Sequence, residues 1–317
     1  MNKIILAGIC TYLVFTLGMP NLFGQRNFTI EASGPTDQLA THQEWENNNI
    51  FFDVATGLTV WGTTLRQSSG GPLVESVYLQ ANDPSGAVPW DWEYTNASFT
   101  PGLQFHGLTG DPGGQLVIAA SQVLNPGFSS FPHIFSVDPA SGALLWSTPL
   151  IFSDAVEVRD MQIIQDFAGD YVVAMSLESN LPGSTSSIDW SGIAIFKLDP
   201  GGGIIWYESY RQPPSMPNLF RVTDLIQSTL TGNYLVAGAY SGSGSLYEEA
   251  FVQEYDIGTG TAVSPLVLYD FVPGQESGLS LTDDGGNYIL SFFSASQSIG
   301  LCGLDIALNP FYAEEFG

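Results

Sequence analysis

Catalysis needs nucleophiles, acids and bases at workable spacing, and this chain offers few beyond its carboxylates. His42, His106 and His133 are the only histidines, and no two stand at a metal-ligand spacing. His106 sits in Leu103-Gln-Phe-His-Gly-Leu108, which reads as an inner strand, so its imidazole is a candidate for lining a central channel. Cys10 falls in the N-terminal apolar stretch, and the residue before it, Ile9, is not the small one that a lipidation signal requires. With that stretch removed, Cys302 stands alone, which excludes an intramolecular disulfide, a Cys-rich metal site and a dithiol redox pair. Its neighbours, Ile299 to Leu304, mark it as a small buried hydrophobe. No Gly-x-Ser-x-Gly elbow, phosphate-cradling Gly-Lys-Ser/Thr or dinucleotide glycine fingerprint is present, and Ser241-Gly-Ser-Gly-Ser245 reads as a loop.

Carboxylates remain, and a pair of them is what a glycosidase uses. Asp53, Asp111, Asp166 and Asp283 recur at equivalent turns, and acids that obey a repeat read as structural, since a catalytic pair should break the symmetry. Asp160, Glu157 and Asp224 are asymmetric and fall near expected inner strands, so they are candidates for channel or ligand contact. Asp189-Trp190, in a Ser/Gly-rich insertion, is a further exposed candidate. EF-hand spacing is missing, so no cofactor is expected; Ca2+ at the turn aspartates is the one ion the acids leave open.

Seven Lys+Arg against 32 Asp+Glu give a formal charge of −25. Such a field repels nucleic acid and anionic membrane surfaces, whose recognition needs clustered cations. Lys3 followed by the apolar Ile4 to Leu17, with Gly24-Gln25 as a cleavage point, reads as an export signal over residues 1–24. The apolar run is shorter than the roughly 20 residues of a membrane helix. The expectation is a secreted, periplasmic or cell-surface protein with no membrane span after cleavage.

The elements that would position these residues repeat. A turn glycine precedes an apolar run at Gly57, Gly114, Gly169, Gly232 and Gly286, with steps of 57, 55, 63 and 54 residues. An aspartate follows the same period at Asp83, Asp138, Asp199, Asp256 and Asp305. Two markers sharing one period indicate a solenoid or propeller unit. Within the third unit, β-branched and aromatic runs at 158–165, 171–177, 193–198 and 204–210 predict four short strands separated by Gly, Asp or Pro. Trp90, Trp146 and Trp206 each stand four residues after Gly86, Gly142 and Gly202, a fixed place that suits rings packed between neighbouring sheets.

The Asp-x-x-x-Gly-x-x-x-Trp unit at Asp138 to Trp146, shortened by one residue at Asp83 to Trp90 and Asp199 to Trp206, resembles the repeats of quinoprotein-like (PQQ-like) β-propellers. Its alternation with Gly169-Asp-Tyr, Gly232-Asn-Tyr and Gly286-Asn-Tyr resembles exported propeller-repeat proteins of Bacteroidetes. The fourth and fifth units depart from the pattern, with Ser264 at the tryptophan position and Tyr312 as the nearest aromatic. The resemblance implies an all-β fold of four-stranded blades over residues 25–317, in units near 35–94, 95–150, 151–210, 211–269 and 270–317. Phe28 to Gly34 resembles Phe311 to Gly317, so either a cap on a five-bladed ring or an open or truncated propeller of five or six blades is implied. Quinone chemistry is not carried over, because the vicinal cysteines that often accompany it are absent. The function expected is a non-enzymatic module that binds a protein or a glycan. The alternative is a hydrolase with a carboxylate pair in a central cleft.

Overall fold

The computed structural model describes residues 49–67, 74–94, 102–111, 114–125, 129–150, 152, 157–179, 190–211, 219–241, 248–270, 276–294 and 298–316. Among these there are twenty strands and no helix. They run as five successive antiparallel meanders. The first is β1 (Asn49–Asp53), β2 (Leu58–Gln67), β3 (Val74–Asn82) and β4 (Trp90–Tyr94). The second is β5 (Gly102–Gly110), β6 (Leu116–Asn125), β7 (Ser129–Val137) and β8 (Leu144–Pro149). The third is β9 (Glu157–Gln165), β10 (Tyr171–Ser179), β11 (Trp190–Leu198) and β12 (Ile204–Arg211). The fourth is β13 (Leu219–Gln227), β14 (Tyr234–Ser241), β15 (Glu248–Tyr255) and β16 (Val267–Tyr269), and the fifth is β17 (Glu276–Asp283), β18 (Tyr288–Ser294), β19 (Ile299–Leu304) and β20 (Pro310–Phe316). One parallel bridge, Glu75 to Gly102, ties the first two meanders into a single eight-stranded sheet; the other three are separate four-stranded sheets. The four runs expected in the third unit coincide with β9 to β12 within three residues at each end.

Middle strands are sandwiched, which is why they read as continuous apolar runs rather than alternating ones. Along β10, Tyr171, Val173 and Met175 face the second meander, whereas Val172 and Ala174 face the fourth. The hydrophobic core is accordingly divided into four parts, lying between meanders one and two, two and three, three and four, and four and five. First strands lie side by side along the array, β1 by β5, then β9, β13 and β17. In β5, β9, β13 and β17 the pairing slips by a residue, a β-bulge that twists the strand and re-aims its side chains.

Both repeated motifs turn out to be joints between neighbouring meanders. Trp90 lies over Gly142 of the next turn and donates Nε1–H to the Pro139 carbonyl at 2.9 Å. Trp146 lies over Gly202 and donates to the Pro200 carbonyl at 3.0 Å and to Gln115 Oε1 at 2.8 Å. Trp206 lies over Gly260, but its Nε1 finds no partner among the described residues. Each glycine has positive φ (70°, 84° and 72°), and a Cβ there would run into the indole. The turn aspartate orders the same loop: Asp199 Oδ1 accepts from the N–H groups of Gly201 and Gly203 at 2.8 and 2.9 Å. Asp138, Asp256 and Asp305 accept from their turns in like fashion.

The tyrosine of the second motif reaches the other way, to the turn of the preceding meander. Tyr234 OH donates to Asp166 Oδ2 at 2.7 Å, and Tyr288 OH shares a hydrogen bond with Ser228 Oγ at 2.7 Å. Of the five marker glycines, Gly57, Gly169 and Gly232 have positive φ, whereas Gly114 and Gly286 do not; in the fifth meander the positive φ (85°) falls on Gly285, and Asp284 Oδ1 caps the N–H groups of Gly286 and Asn287.

Candidate ligand-binding end of the sheets

The meander topology puts unlike connections at the two ends of every sheet. Links from first to second strand and from third to fourth gather at one end, and these are the short Asp- and Gly-built turns. At the other end depart the remaining connections, including 68–73, 95–101, 180–189, 212–218 and 242–247. Arginines follow the same division. Arg66 near the end of β2, Arg159 near the start of β9, Arg211 at the end of β12 and Arg221 near the start of β13 all stand at the end with the longer connections. Lys197 is at the turn end, where it is enclosed.

On β9, β10 and β13 at that arginine-bearing end, five charged side chains come together. Arg159 Nη1 lies 3.2 Å from Glu157 and its Nε 3.1 Å from Glu178 Oε2 on β10. One strand over, Arg221 Nε stands 3.7 Å from Asp160 Oδ2, which also accepts from Ser176 Oγ at 3.3 Å. The β9 bulge makes this possible, since Arg159 and Asp160 together oppose the single residue Ser176. Both guanidiniums stay open to solvent, with side chains 49% and 56% exposed, while the Glu178 side chain is 5% exposed. Burial raises the Glu178 pKa, with the Arg159 charge opposing that rise and the Glu157 and Asp160 carboxylates adding to it. The cluster therefore presents two guanidiniums beside the partly exposed Glu157 and Asp160 carboxylates on a β surface, with Glu178 beneath them.

The other candidates lie elsewhere. His106 is the extra residue of the β5 bulge and is buried; Nε2 is 2.8 Å from Ser121 Oγ, and Nδ1 has no partner among the described residues. Burial pushes its pKa down to about 4, so the ring is neutral and packed rather than presented to solvent. Asp224 ties β13 to β17: its Oδ2 accepts from Ser280 Oγ at 2.8 Å and from the Leu281 N–H at 2.7 Å. Burial raises its pKa to about 6 against the pull of these hydrogen bonds. Trp190 opens β11, paired along the backbone with Ser179 of β10, whereas Asp189 lies outside the described residues. Among the described residues no group of three or more His, Cys, Asp or Glu is placed to hold a metal ion, and no helix is long and apolar enough to cross a membrane. Cys302 is fully buried.

Sequence reasoning missed Arg159, Glu178 and Arg221. For the two arginines the signal was scarcity: with seven cationic residues in the whole chain, those in expected strands were worth mapping to one end of the sheet, whereas nothing marks Glu178 among 32 acids.

No family model and no curated protein matches the chain. Among solved structures it is similar to a polysaccharide lyase, an ulvan lyase bound to -[GlcA(1-4)Rha3S]-, with a TM-score of 0.56 at 8% identity, over 85% of this chain and 69% of that one. A cobalt-substituted apocarotenoid oxygenase of Synechocystis matches with a TM-score of 0.44 at 13% identity, over 81% of this chain and 58% of that one. At 8% identity the likeness to the lyase speaks for architecture alone. The chain is an all-β, β-propeller-like array of antiparallel sheets.

Proposed function

We propose that this chain is an exported, non-enzymatic glycan-binding module of the quinoprotein-like propeller type, with five four-stranded blades in an open array. The N-terminal export pattern supports the location, and five meanders with four cores between them support an open order. The observation that carries the binding role is the Glu157–Arg159–Glu178 and Asp160–Arg221 cluster at the end where the longer connections depart. Vicinal sugar hydroxyls both donate and accept, and planar carboxylates alternating with guanidinium forks match that pattern. A polyanion is a poorer match, because three carboxylates outnumber two guanidiniums there and the chain as a whole carries −25.

The test is a glycan array probed with the mature chain, followed by calorimetry on the best ligand. Arg221→Ala and Asp160→Asn are each expected to weaken binding by about tenfold or more, with an unchanged melting temperature. Glycan binding that ignores both substitutions, or retention of proteins but no glycan, would overturn the reading.

A second reading has one observation in its favour. Glu178 is buried with a raised pKa and stands in electrostatic contact with Glu157 and Asp160, as a general acid beside a carboxylate would. Turnover of a polysaccharide that is lost in both Glu178→Gln and Asp160→Asn, with binding retained, would establish the hydrolase instead.

A further inference from the structure

Of the four joints between meanders, two combine a turn aspartate with a tyrosine that opens the second strand of the next meander: Asp111 with Tyr171, and Asp166 with Tyr234. The two turns are hydrogen-bonded alike. In each, the aspartate N–H donates to the carbonyl of the residue four on, and the glycine N–H three on donates back to the aspartate carbonyl. At the later joint these groups hold an ammonium, with Lys197 Nζ 2.8 Å from Asp166, 3.1 Å from Asp170 and 3.2 Å from Tyr234 OH. At the earlier joint the register puts Ser136 in the place of the lysine, since Ser136 pairs with Val117 as Lys197 pairs with Val172. Gln115 stands where Asp170 stands, and it accepts from Ser136 Oγ at 2.8 Å. The acceptors of the ammonium are kept there, and the chain supplies no cation to them.

At this earlier joint a cleft of about 420 Å³ opens, within the roughly 300–1,000 Å³ usual for small-ligand sites. Asp111, Gln115, Gln165 and Tyr171 give it polar lining, and Leu145 and Pro200 give it an apolar wall. Tyr171 is its buried floor at 1% exposure, whereas Leu145 is 53% exposed at the rim. Burial raises the Tyr171 pKa; a hydrogen bond with Gln115 opposes that rise and the nearby Asp111 charge adds to it. Asp111 is the member placed differently from its counterpart. Its carboxylate lies over Gly114 and is exposed, whereas Asp166 is 5% exposed beside its lysine.

We propose that this cleft binds a primary alkylammonium group, which sets its charge against Asp111 and the Tyr171 oxygen and lays its stem along Leu145 and Pro200. Three features choose the ligand. The matching side chains one joint along hold a group of this kind, so the chain itself shows what the arrangement fits. An ammonium carries three N–H donors and no acceptor, and the carboxylate, the phenol oxygen and the glutamine amides of the lining can accept from it. A chain of charge −25 draws cations towards it and repels anions. A divalent metal ion is a poorer match, because the lining offers one carboxylate. The cleft stands at the turn end of the sheets, away from the Arg159 and Arg221 cluster, and its role is independent of the glycan reading.

Ligand-observed NMR titration of the mature chain with n-butylammonium, at neutral pH and fixed ionic strength, tests it. Saturable binding is expected, and tetramethylammonium, which has the charge but no N–H, should bind at least about tenfold more weakly. Asp111→Asn should weaken n-butylammonium by about tenfold or more, and because Asp111 is exposed the melting temperature should not move. Ser136→Lys supplies the lysine of the later joint and should fill the site from within, abolishing the binding. A parallel titration with Nα-acetyl-lysine amide identifies the source: binding of both probes supports the site with a protein lysine as occupant, and binding of n-butylammonium alone supports it with a free amine. No saturable binding of either probe would overturn the proposal. So would tetramethylammonium binding as tightly as n-butylammonium, or amine binding that is indifferent to Asp111→Asn.

Discussion

Between the third and fourth meanders the joint is an indole on a glycine beside a buried charged network; between the fourth and fifth it has neither. In the former, Trp206 covers Gly260, and Lys197 Nζ reaches Asp166 at 2.8 Å, Asp170 at 3.1 Å and Tyr234 OH at 3.2 Å. Burial works against the Lys197 charge, but the hydrogen bonds with Asp166, Tyr234 and Asp170 overcome it and the pKa is raised. In the latter, Ser264 occupies the tryptophan position and Leu308 the glycine position, with φ of 64°, and the tyrosine partner is the neutral Ser228. Leu308 is 2% exposed in the core, and Tyr269 OH donates to its carbonyl at 3.0 Å. The difference teaches that tryptophan and glycine are one unit: without the ring, the next turn no longer needs an absent Cβ, and a leucine fills the space despite its left-handed backbone.

The largest break expected is Lys197→Met, which leaves Asp166 buried with only Tyr234 and turn N–H groups as partners. It should cost about 3 kcal/mol in denaturant unfolding, against about 1 kcal/mol for Ser228→Ala at the other joint. Next comes Gly260→Ala, where positive φ and contact with the Trp206 ring together should cost about 2–3 kcal/mol. The sharpest version of the comparison is a double-mutant cycle. Ser264→Trp alone should be destabilising because Leu308 stands in the way, and adding Leu308→Gly should recover about 1–2 kcal/mol. Additive effects would show that ring and glycine are not coupled.

Acid behaviour separates two aspartates, Asp166 in the β9–β10 turn and Asp224 on β13. Asp166 is held below its usual pKa: burial favours its protonated form, but hydrogen bonds from Lys197 and Tyr234 outweigh this. Its contribution is present above the unfolded pKa and is lost as pH falls through the lowered folded value. Asp224, raised to about 6 by burial, has the opposite sign, so its carboxyl favours the fold below pH 3.8 and loses that effect as pH rises towards 6. Asp224→Asn should flatten the stability profile in that window, a change read by denaturant unfolding across it. A pH profile unchanged by Asp224→Asn would remove burial as the cause.

The architecture was legible because its markers are mechanical parts. A glycine that must lack a Cβ, a ring that must sit on it, and an aspartate that must cap the turn leave a periodic trace in one dimension. The site was not legible for the opposite reason. Asp160 could be picked out as an asymmetric acid, but its partner Arg221 is 61 positions away on another strand, and the bulge that aims it leaves no residue signature. His106 misled because its ring is closed off inside the packed sheets, 2% exposed and bonded to Ser121, and burial of that kind leaves no mark in the local sequence.

The indole joints couple each of the first three meanders to its successor, one junction at a time. A pulling force applied across the two termini would therefore meet unequal rungs, and the ladder should part first at Ser264 and Leu308, where no indole spans the gap. The last β hairpins would peel away as a unit while the four preceding meanders hold.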